Sequence, residues 1–382
     1  MPSRSTTSIL LLAMSLELGG AETHLVSLAK NLKARGWDVT VASAGGSLVQ
    51  SLSLSGIPHF DAPLNSRSPL NMAKAAGTVK HLVRTREVGL VHAHARIPAW
   101  ISEGIARRAG VPMVVTYHGT FVSGPFWNYF TRPGDRTIAI SPDIKDYIVR
   151  EFGFDPERIT VIPNGIDLDV FAPASPAERL EARASFGVGG SQGPVIVYAS
   201  RIEHDLTEVT KKVARAAEIL QPKYPDLALL IAGDGDGVAE LGKVVAEVND
   251  NTGRETVRCL GYVKDTARAY AAADVVVGMS RVALEASACE RPVIIAGPGG
   301  LFGPITPDTA PSLEECNFTT RGAPSPLTPD TLAAEIDALL ADSEKRASLA
   351  RFAREIVASK HSMERVTLET EKVYRAAMGK RN

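Results

Sequence analysis

The sequence predicts an α/β fold made of two doubly wound domains. Two observations lead to this prediction: short β-branched runs alternate with amphipathic helical segments along the chain, and the alternation restarts after a break. The break is a stretch rich in Ala, Ser, Gly and Pro at 172–194. With 382 residues, 45% of them apolar, each half is long enough to bury a core of its own.

The break sets the domain limits. We predict a first domain over 1–172, a linker over 173–194 and a second domain over 195–360. The net charge of −1 gives no overall argument for binding nucleic acid. The three cysteines follow no metal-ligand spacing, and they fit a reducing compartment: Cys259, Cys289 and Cys316.

The first domain begins with a β–loop–α–β unit: a strand over 9–14, a helix over 21–35 and a strand over 38–42. The loop holds Gly19 and Gly20, which either let a ligand approach the backbone or form a plain tight turn. Arg4 followed by the apolar run imitates a short signal peptide. The run is short and leads straight into the glycines, so a core strand is the better interpretation. No segment reaches the ~20 apolar residues that span a bilayer.

Histidines mark the ends of two later strands. His92 and His94 share one strand face, which suits either a metal pair or structural positions, and spacing fixes no third ligand. His118 follows a strand over 112–117, at the edge where ligands bind in open α/β sheets. A histidine there donates to a hydroxyl, shuttles a proton, or bonds only the loop backbone.

Positive charge is concentrated on a predicted helix over 72–86, which carries Lys74, Lys80, His81, Arg84 and Arg86. Such a helix is either a solvated face or a face that rests on an anionic membrane. Strands over 137–140 and 159–162, with a helix over 142–152 between them, complete the first half.

The second half repeats the alternation. Its predicted strands lie over 195–199, 228–232 and 257–260, with helices over 205–220 and 264–272. Residues 233–237 form a glycine-rich turn that lacks the ligand spacing of a calcium loop. Residues 297–326 are predicted to be an irregular excursion, and helices follow over 328–342, 343–358 and 363–378.

The stretch 273–295 is the candidate ligand site of the second half. Residues 274–277 form a buried strand, 278–280 a turn, and Val282 begins a helix. Unpaired N–H groups and the positive end of the helix dipole suit a diphosphate there, and Glu285 can accept bonds from sugar hydroxyls. The alternative is an ordinary βαβ unit whose glutamate is solvated or capping.

Ten motifs occur in one order: GGAETHLVSLAKNLKARGWDVTV, HAHARIP, VVTYHG, AISPDIKDYI, VIPNGID, ASRIEHD, AGDGD, LGYV, ADVVVG and ALEASACERPVI. Together they resemble the retaining GT-B glycosyltransferases of family 4, over about 9–376. The resemblance implies two Rossmann-like domains facing across a cleft, with a C-terminal helix at 361–382 crossing back to the first domain. It also implies a cytoplasmic enzyme, with peripheral membrane contact as one option, and no metal or other cofactor.

The resemblance also implies residue roles. His118 contacts the donor sugar near the reacting carbon, Arg201 binds the donor diphosphate and Glu285 binds the ribose; these three are the expected catalytic residues. Tyr262 and Val263 hold the nucleobase through their backbone. The other implied donor contacts lie in loops and helix starts: Gly19, Gly20, Gly233, Ser280, Val282 and Ala283.

Two positions depart from the family pattern. The family usually has a lysine five residues after the arginine, where this chain has Leu206. It usually has a first glutamate eight residues before the second, where this chain has Val277, and the loop is shortened to 278–281. We hypothesise that Arg281 supplies part of the missing charge. The alternative is a solvated arginine, and Lys211 and Lys212 are less well placed.

The function implied is a retaining, hexosyltransferase-type reaction that moves a sugar from a UDP or GDP sugar to a saccharide or glycolipid acceptor, in cell-envelope glycan synthesis. A second hypothesis is a non-catalytic nucleotide- or glycan-binding relative, which the two departures favour. A third is a sugar-nucleotide epimerase of the same fold. No nucleic-acid partner is expected. The sequence specifies neither the sugar, the base, the acceptor nor the oligomeric state.

Overall fold

A computed structural model describes residues 7–189 and 193–379. Its contacts divide the chain into two units: Met1–Asp167 with Ser362–Asn382, and Leu168–His361. Arg4 and residues 190–192 of the proposed linker lie outside the described residues. The predicted domain limits at 172, 194 and 360 stay predictions.

The first unit is a seven-stranded parallel sheet with strand order β3-β2-β1-β4-β5-β6-β7. This order, with helices on both faces, is the doubly wound arrangement. Its elements are β1 (Ser8–Leu12), α1 (Gly20–Ala34), β2 (Asp38–Ser43), α2 (Val49–Leu54), β3 (His59–Asp61), α3 (Pro69–Thr85), β4 (Leu90–Ala93), α4 (Arg96–Ala109), β5 (Met113–Tyr117), α5 (Pro125–Tyr129), β6 (Arg136–Ala139), α6 (Pro142–Phe152) and β7 (Ile159–Val161).

The second unit has a six-stranded sheet in the order β10-β9-β8-β11-β12-β13, in which only β13 is antiparallel to its neighbour. Its elements are α7 (Pro176–Ser185), β8 (Val195–Ala199), α8 (Asp205–Leu220), β9 (Ala228–Ala232), α9 (Val238–Thr252), β10 (Val257–Gly261), α10 (Thr266–Ala272), β11 (Val275–Gly278), α11 (Arg281–Ala288), β12 (Val293–Gly297), β13 (Gly300–Pro304), α12 (Ala310–Glu315), α13 (Pro329–Ala341) and α14 (Ser343–Lys360). The predicted fold class, two Rossmann-like α/β domains, is confirmed.

The strands are apolar because both faces of each sheet are covered. In β1 every residue is buried: Ile9 and Leu11 join the core under α1, while Leu10 and Leu12 join the core under α3 and α4. Parallel strands end at one edge of the sheet, so the loops that follow them gather there. The loops that carry the candidate residues of each unit therefore come together at that edge.

The last helix, α15 (Met363–Met378), packs on the first unit, as predicted. Val373 and Tyr374 are buried in the same core as Leu25 and Leu28 of α1. The carboxylate of Glu371 accepts hydrogen bonds from Arg35 at 2.7 Å and from the indole of Trp37 at 3.0 Å. The C-terminal residues thus complete the domain with which the chain begins.

Two predictions of local structure were wrong. The stretch 297–326 is not an irregular excursion, because it contains strand β13 and helix α12. Its glycines belong to the strand because another backbone approaches closely: Gly300 has φ +134°, and a Cβ there would lie 2.3 Å from the carbonyl oxygen of Ser325, the loop residue that pairs with Leu301. The turn after β11 is also shorter than predicted, since only Met279 and Ser280 lie between the strand and α11.

No helix in the described part of the chain combines the length and the apolar composition needed to cross a membrane.

Candidate active site

The strand–turn–helix at 275–288 lies near the middle of the second sheet, where β11 pairs with β8 on one side and β12 on the other. Ser280 holds the turn with φ +53°, a conformation that non-glycine residues rarely adopt. Its N–H donates to the carbonyl of Phe318 at 2.5 Å. Among the described residues no side chain caps α11, so the N–H groups of its first turn, those of Val282 and Ala283 included, face the turn.

Glu285 lies one turn inside α11 and is buried, with 7% of the residue exposed. Its carboxylate accepts a hydrogen bond from Arg281 Nε at 2.7 Å and one from the Tyr270 hydroxyl at 3.3 Å. Burial raises the pKa of Glu285, and the guanidinium of Arg281 acts in the opposite direction. A carboxylate held in this way is fixed in one orientation.

Arg281 is therefore the ion-pair partner of Glu285, with only 13% of its side chain exposed. It is not the solvated arginine that the sequence left open as an alternative. A role at the donor phosphates stays a prediction, and it requires the guanidinium to serve the phosphate and Glu285 together. Because the two residues are four apart on the same helix, their side chains are neighbours. A movement of the Arg281 side chain towards a phosphate would therefore also change its contact with Glu285.

Arg201 follows β8 in a loop that is hydrogen-bonded to the glycine-rich turn after β9. The N–H of Ile202 donates to the carbonyl of Asp234 at 2.9 Å, and the N–H of Gly237 donates to the carbonyl of Ile202 at 2.9 Å. A Cβ on Gly233 would lie 2.0 Å from the carbonyl oxygen of Ser200, so only glycine fits there. The Arg201 side chain itself is 66% exposed and lies 3.6 Å from the carboxylate of Glu203.

The proposed nucleobase segment follows β10. Tyr262 is 53% exposed, and Val263 is half-buried beside it. The carbonyl of Gly261 accepts a hydrogen bond from the N–H of Gly233 at 2.8 Å. The loops after β8, β9 and β10 are thus linked to one another through their backbones.

Leu206 stands half-buried near the start of α8, where the family usually has lysine. The neighbouring Lys211 does not replace that charge, because it pairs with Glu208 at 2.7 Å and with Glu240. Lys212 lines a separate cavity of about 380 Å³. None of the residues implied as donor contacts lines this cavity, whose walls are Asp205, Glu208, Val209, Lys212, Gly297, Pro298, Gly299, Gly300, Pro326 and Leu327.

In the first unit, the loop after β1 leads into α1 at Gly20. No atom other than those of adjacent residues and the helix backbone lies within 4 Å of the position that a Gly20 Cβ would take. At Gly19 the atoms nearest to such a Cβ belong to the flexible end of Glu22. The fold therefore does not require glycine at position 20, and ligand approach at this position stays a prediction.

His118 lies just past β5 and is grouped with three other histidines of the first unit. Its Nε2 atom lies 3.1 Å from Nδ1 of His94, and the two rings are stacked with an interplanar angle of 18°. The ring of His24, from α1, lies 5.6 Å from that of His118. His92 is bonded at both nitrogens, to the Tyr374 hydroxyl and the Thr116 hydroxyl, each at 2.7 Å.

His92, His94 and His118 are neutral at physiological pH. Burial lowers the pKa of His118 to about 4, and a hydrogen bond to the Asn164 side chain acts against this. Burial lowers the pKa of His92 to about 3 and takes that of His94 well below its ordinary value. A neutral His118 has one donor and one acceptor nitrogen, so it can orient a hydroxyl but carries no charge to offer a phosphate.

Sequence reasoning missed three neighbours of His118. The sequence predicts His94 as half of a metal pair or as a structural residue, and it gives no role to His24 or Asn164. The signal was present for His94, because β4 and β5 are adjacent and both histidines follow the ends of their strands. The sequence around His24 gives no indication of a role, because a single histidine on an amphipathic helix can as well be a structural residue.

Within residues 7–189 and 193–379, no group of three or more His, Cys, Asp or Glu side chains is arranged to hold a metal ion. Both ring nitrogens of His92 are occupied by hydrogen bonds to hydroxyls, which favours the structural interpretation of this residue over a metal pair. That the protein needs no metal stays a prediction.

Two family models match the chain, one in each half. Glycosyltransferase Family 4 matches residues 18–170, and Glycosyl transferases group 1 matches residues 193–342. The chain carries two glycosyltransferase domains. The recognition of a glycosyltransferase from the sequence motifs is confirmed at this level, whereas the exact family and the retention of configuration stay predictions.

The curated relatives of these glycosyltransferase domains include two whose names state a substrate. A D-inositol 3-phosphate glycosyltransferase of Segniliparus rotundus is 30% identical over 56% of this chain, and the match spans about half of that relative (51%). A GDP-mannose-dependent monoacylated alpha-(1-6)-phosphatidylinositol monomannoside mannosyltransferase of Corynebacterium glutamicum is 28% identical, over 76% of this chain and 77% of its own length.

Among solved structures, Alr3699/HepE of Anabaena in complex with UDP-glucose aligns with a TM-score of 0.75 and 22% identity. The alignment covers 97% of this chain and 99% of that one. At this identity the likeness shows the fold of the glycosyltransferase domains and leaves their substrates open.

Proposed function

We propose that the protein transfers a hexose from a nucleoside diphosphate sugar to a saccharide or glycolipid acceptor with retention of configuration, in the synthesis of cell-envelope glycans. One observation carries the proposal: in a chain with two glycosyltransferase domains, a buried carboxylate lies one turn below an uncapped helix N-terminus. This arrangement can recognise a ribose and a diphosphate together.

The donor is proposed to lie at the first turn of α11. Amides of Val282 and Ala283 would donate to the phosphates, and Glu285 would accept from the ribose hydroxyls. Arg201, mostly exposed, can move onto the diphosphate without losing a strong partner, because its contact with Glu203 is 3.6 Å long. The segment at Tyr262 would hold the base through its backbone.

The chemistry requires charge stabilisation more than a nucleophile. When the sugar leaves, negative charge builds on the diphosphate, and fixed N–H groups together with Arg201 stabilise it. The resemblance gives no protein nucleophile, so the proposed route is front-face substitution, in which the leaving phosphate helps to deprotonate the acceptor. His118 is neutral, so its proposed role is to orient a donor-sugar hydroxyl.

The two departures from the family pattern set an expectation for the rate. Leu206 removes one phosphate cation and Val277 removes a carboxylate for the donor sugar. A charge-assisted hydrogen bond contributes roughly 1.5–3 kcal/mol, so each missing contact costs about 10- to 200-fold in rate if nothing replaces it. Arg281 is the residue proposed to replace part of this charge, since it lies in the same first turn.

The names of the relatives narrow the substrates without fixing them. The Corynebacterium enzyme is GDP-mannose-dependent, and HepE was crystallised with UDP-glucose, so both bases remain candidates. The names of both relatives include a phosphate on the acceptor, either inositol 3-phosphate or a phosphatidylinositol mannoside. We therefore propose an acceptor that carries a phosphate.

The experiment is to incubate the whole chain with UDP, GDP and ADP sugars, with and without phosphorylated acceptors, and to analyse both nucleotide and sugar products. The proposal predicts release of one nucleoside diphosphate that increases with acceptor and persists in a metal chelator. Binding without release would support the non-catalytic relative, and conversion of the donor to its epimer would support the epimerase.

A further inference from the structure

The first unit contains a second cavity, away from its histidine cluster. It has a volume of about 150 Å³ and lies between the start of α4, the start of α3 and the short helix α5. Its lining is mainly aromatic and apolar, with two arginines at its edge: Arg67, Met72, Arg96, Ile97, Trp100, Phe126, Trp127 and Phe130. Neither the fold nor the proposed donor site accounts for this cavity.

The two arginines share one aromatic surface. The guanidinium of Arg67 lies 4.7 Å from the ring centre of Trp127, and that of Arg96 lies 5.2 Å from it and 4.1 Å from Phe121. Among the described residues no carboxylate forms an ion pair with either arginine. Burial lowers the pKa of Arg96, and the charge of Arg67 contributes in the same direction. Two uncompensated cations at one pocket favour an anionic ligand.

The surface around the pocket is apolar although it is exposed. Leu70, Val122, Phe126 and Tyr129 are each between 61% and 79% exposed. Phe126 itself lines the pocket, and the other three lie within five residues of a pocket residue in sequence. An exposed group of large apolar side chains marks a binding surface for a protein or a lipid, and guanidinium groups at its edge suit a phosphate.

We propose that this pocket binds a phospholipid-like amphiphile, with an apolar chain against Trp100 and Trp127 and its phosphate held by Arg67 and Arg96. The inference rests on the proposed function in one respect: such a ligand would be the acceptor, or the lipid that carries it. A membrane surface that presents the same chemistry would engage the exposed rim of the pocket.

The size of the cavity decides which part of the ligand it takes. An apolar cavity of about 150 Å³ holds a group of roughly the size of benzene, whereas sites for whole drug-sized ligands span about 300–1,000 Å³. The pocket therefore takes a short apolar segment, and the remainder of the chain lies over the exposed rim. A free sugar phosphate lacks that apolar segment, so it would make no apolar contact with the aromatic walls of the pocket.

The test uses tryptophan fluorescence of the whole chain, because two of its three tryptophans line the pocket. The probes are short-chain phosphatidic acid below its micelle-forming concentration, the phosphatidylcholine of equal chain length, and glycerol 3-phosphate. We expect saturable binding of phosphatidic acid, at least tenfold weaker binding of phosphatidylcholine, and none of glycerol phosphate. Arg67→Ala and Arg96→Gln should each weaken phosphatidic acid binding about tenfold.

The matched control is Arg107→Ala, which removes an exposed arginine from the other end of α4. Arg67 is exposed and makes no buried hydrogen bond, so Arg67→Ala should fold even if Arg96→Gln does not. The proposal would be overturned if phosphatidylcholine or glycerol 3-phosphate bound as tightly as phosphatidic acid, or if phosphatidic acid did not bind. It would also be overturned if Arg107→Ala weakened phosphatidic acid binding as much as the two pocket variants do. Nucleotide release is measured separately, so failure of the proposed function is distinguished from failure of the pocket.

Discussion

Arg281 and Glu285 form the contact on which the account depends at the scale of residues. Glu285 is buried and already bonded to Arg281 and Tyr270, so a ribose would meet a carboxylate that is held in place. Arg281 either contacts the diphosphate while it holds Glu285 or serves only to position Glu285. The two possibilities differ in what removal of the guanidinium does to nucleosides and to nucleotides.

Arg281→Ala should weaken binding of the preferred nucleoside diphosphate by roughly tenfold or more, but weaken binding of the matching nucleoside much less. The reason is that only the diphosphate contains the group that Arg281 is proposed to contact. Titration calorimetry with both ligands is the measurement, and a melting curve checks that the variant folds. An equal loss for nucleoside and diphosphate would limit Arg281 to positioning Glu285, and no loss for either would exclude both roles.

The buried histidines predict a pH dependence of stability. His92 has a folded pKa of about 3 and His118 of about 4, both below the ordinary value of 6.5. Below pH 6.5 the unfolded chain therefore binds protons that the folded chain does not. The contribution of these histidines to the free energy of unfolding is therefore fully present above pH 6.5, and it is lost progressively as the pH falls towards 4. Between pH 7 and pH 5 the loss is roughly 2 kcal/mol for each such histidine.

His92→Gln should reduce this loss by about one histidine's share, and His81→Gln, which removes an exposed histidine of α3, should leave it unchanged. Urea unfolding followed by tryptophan fluorescence is the measurement, because Trp37, Trp100 and Trp127 all belong to the first unit. The same pH dependence in His92→Gln as in the unmodified chain would contradict the assignment of a depressed pKa to this residue.

At the scale of elements, the loops at the carboxyl edge of each sheet carry the backbone features that position a ligand. Ser280 and His204 are both non-glycine residues with φ near +50°, and each directly precedes a helix, α11 and α8. A left-handed residue before the helix turns its first N–H groups towards the loop, at a cost of about 1–3 kcal/mol. Gly20 differs from these positions, because no protein atom restricts it.

The substitution Gly20→Ala distinguishes a role of Gly20 in folding from a role in the approach of the ligand. We expect stability to be unchanged or to rise by up to about 1 kcal/mol, since alanine is the better helix former, while donor affinity falls. Gly77→Ala, at another exposed and uncrowded helical glycine of the first unit, should show the stability effect alone. Melting temperature and donor affinity are measured for both variants. Unchanged donor affinity in Gly20→Ala would remove Gly20 from the site.

At the scale of the whole molecule, the sequence predicts the repeated α/β alternation well because buried parallel strands are apolar runs between helices. The bounds of α8, β8 and α15 are those expected from periodicity and capping. The ion pair between Arg281 and Glu285 could have been predicted, because the two residues are four apart on one helix. The grouping of His24 with His118 was not accessible, because it depends on how α1 packs against the sheet.

The same limit explains the misassigned stretch 297–326. Its glycines and prolines suggest loop, but β13 exists because the edge of β12 offers it a partner, and periodicity does not register that contact. The sequence does not predict the aromatic pocket near Trp127. Its walls come from α3, α4 and α5, which are separated in sequence.

Release of a nucleoside diphosphate from a nucleotide sugar, compared between the unmodified chain and Glu285→Gln, tests the central claim most directly. The account predicts acceptor-stimulated release by the unmodified chain, a loss of about 10- to 200-fold in Glu285→Gln, and no loss in Glu355→Gln, which alters an exposed glutamate of α14. Melting curves confirm that each variant folds. Release that Glu285→Gln leaves unchanged, or no release with any UDP, GDP or ADP sugar, would contradict it.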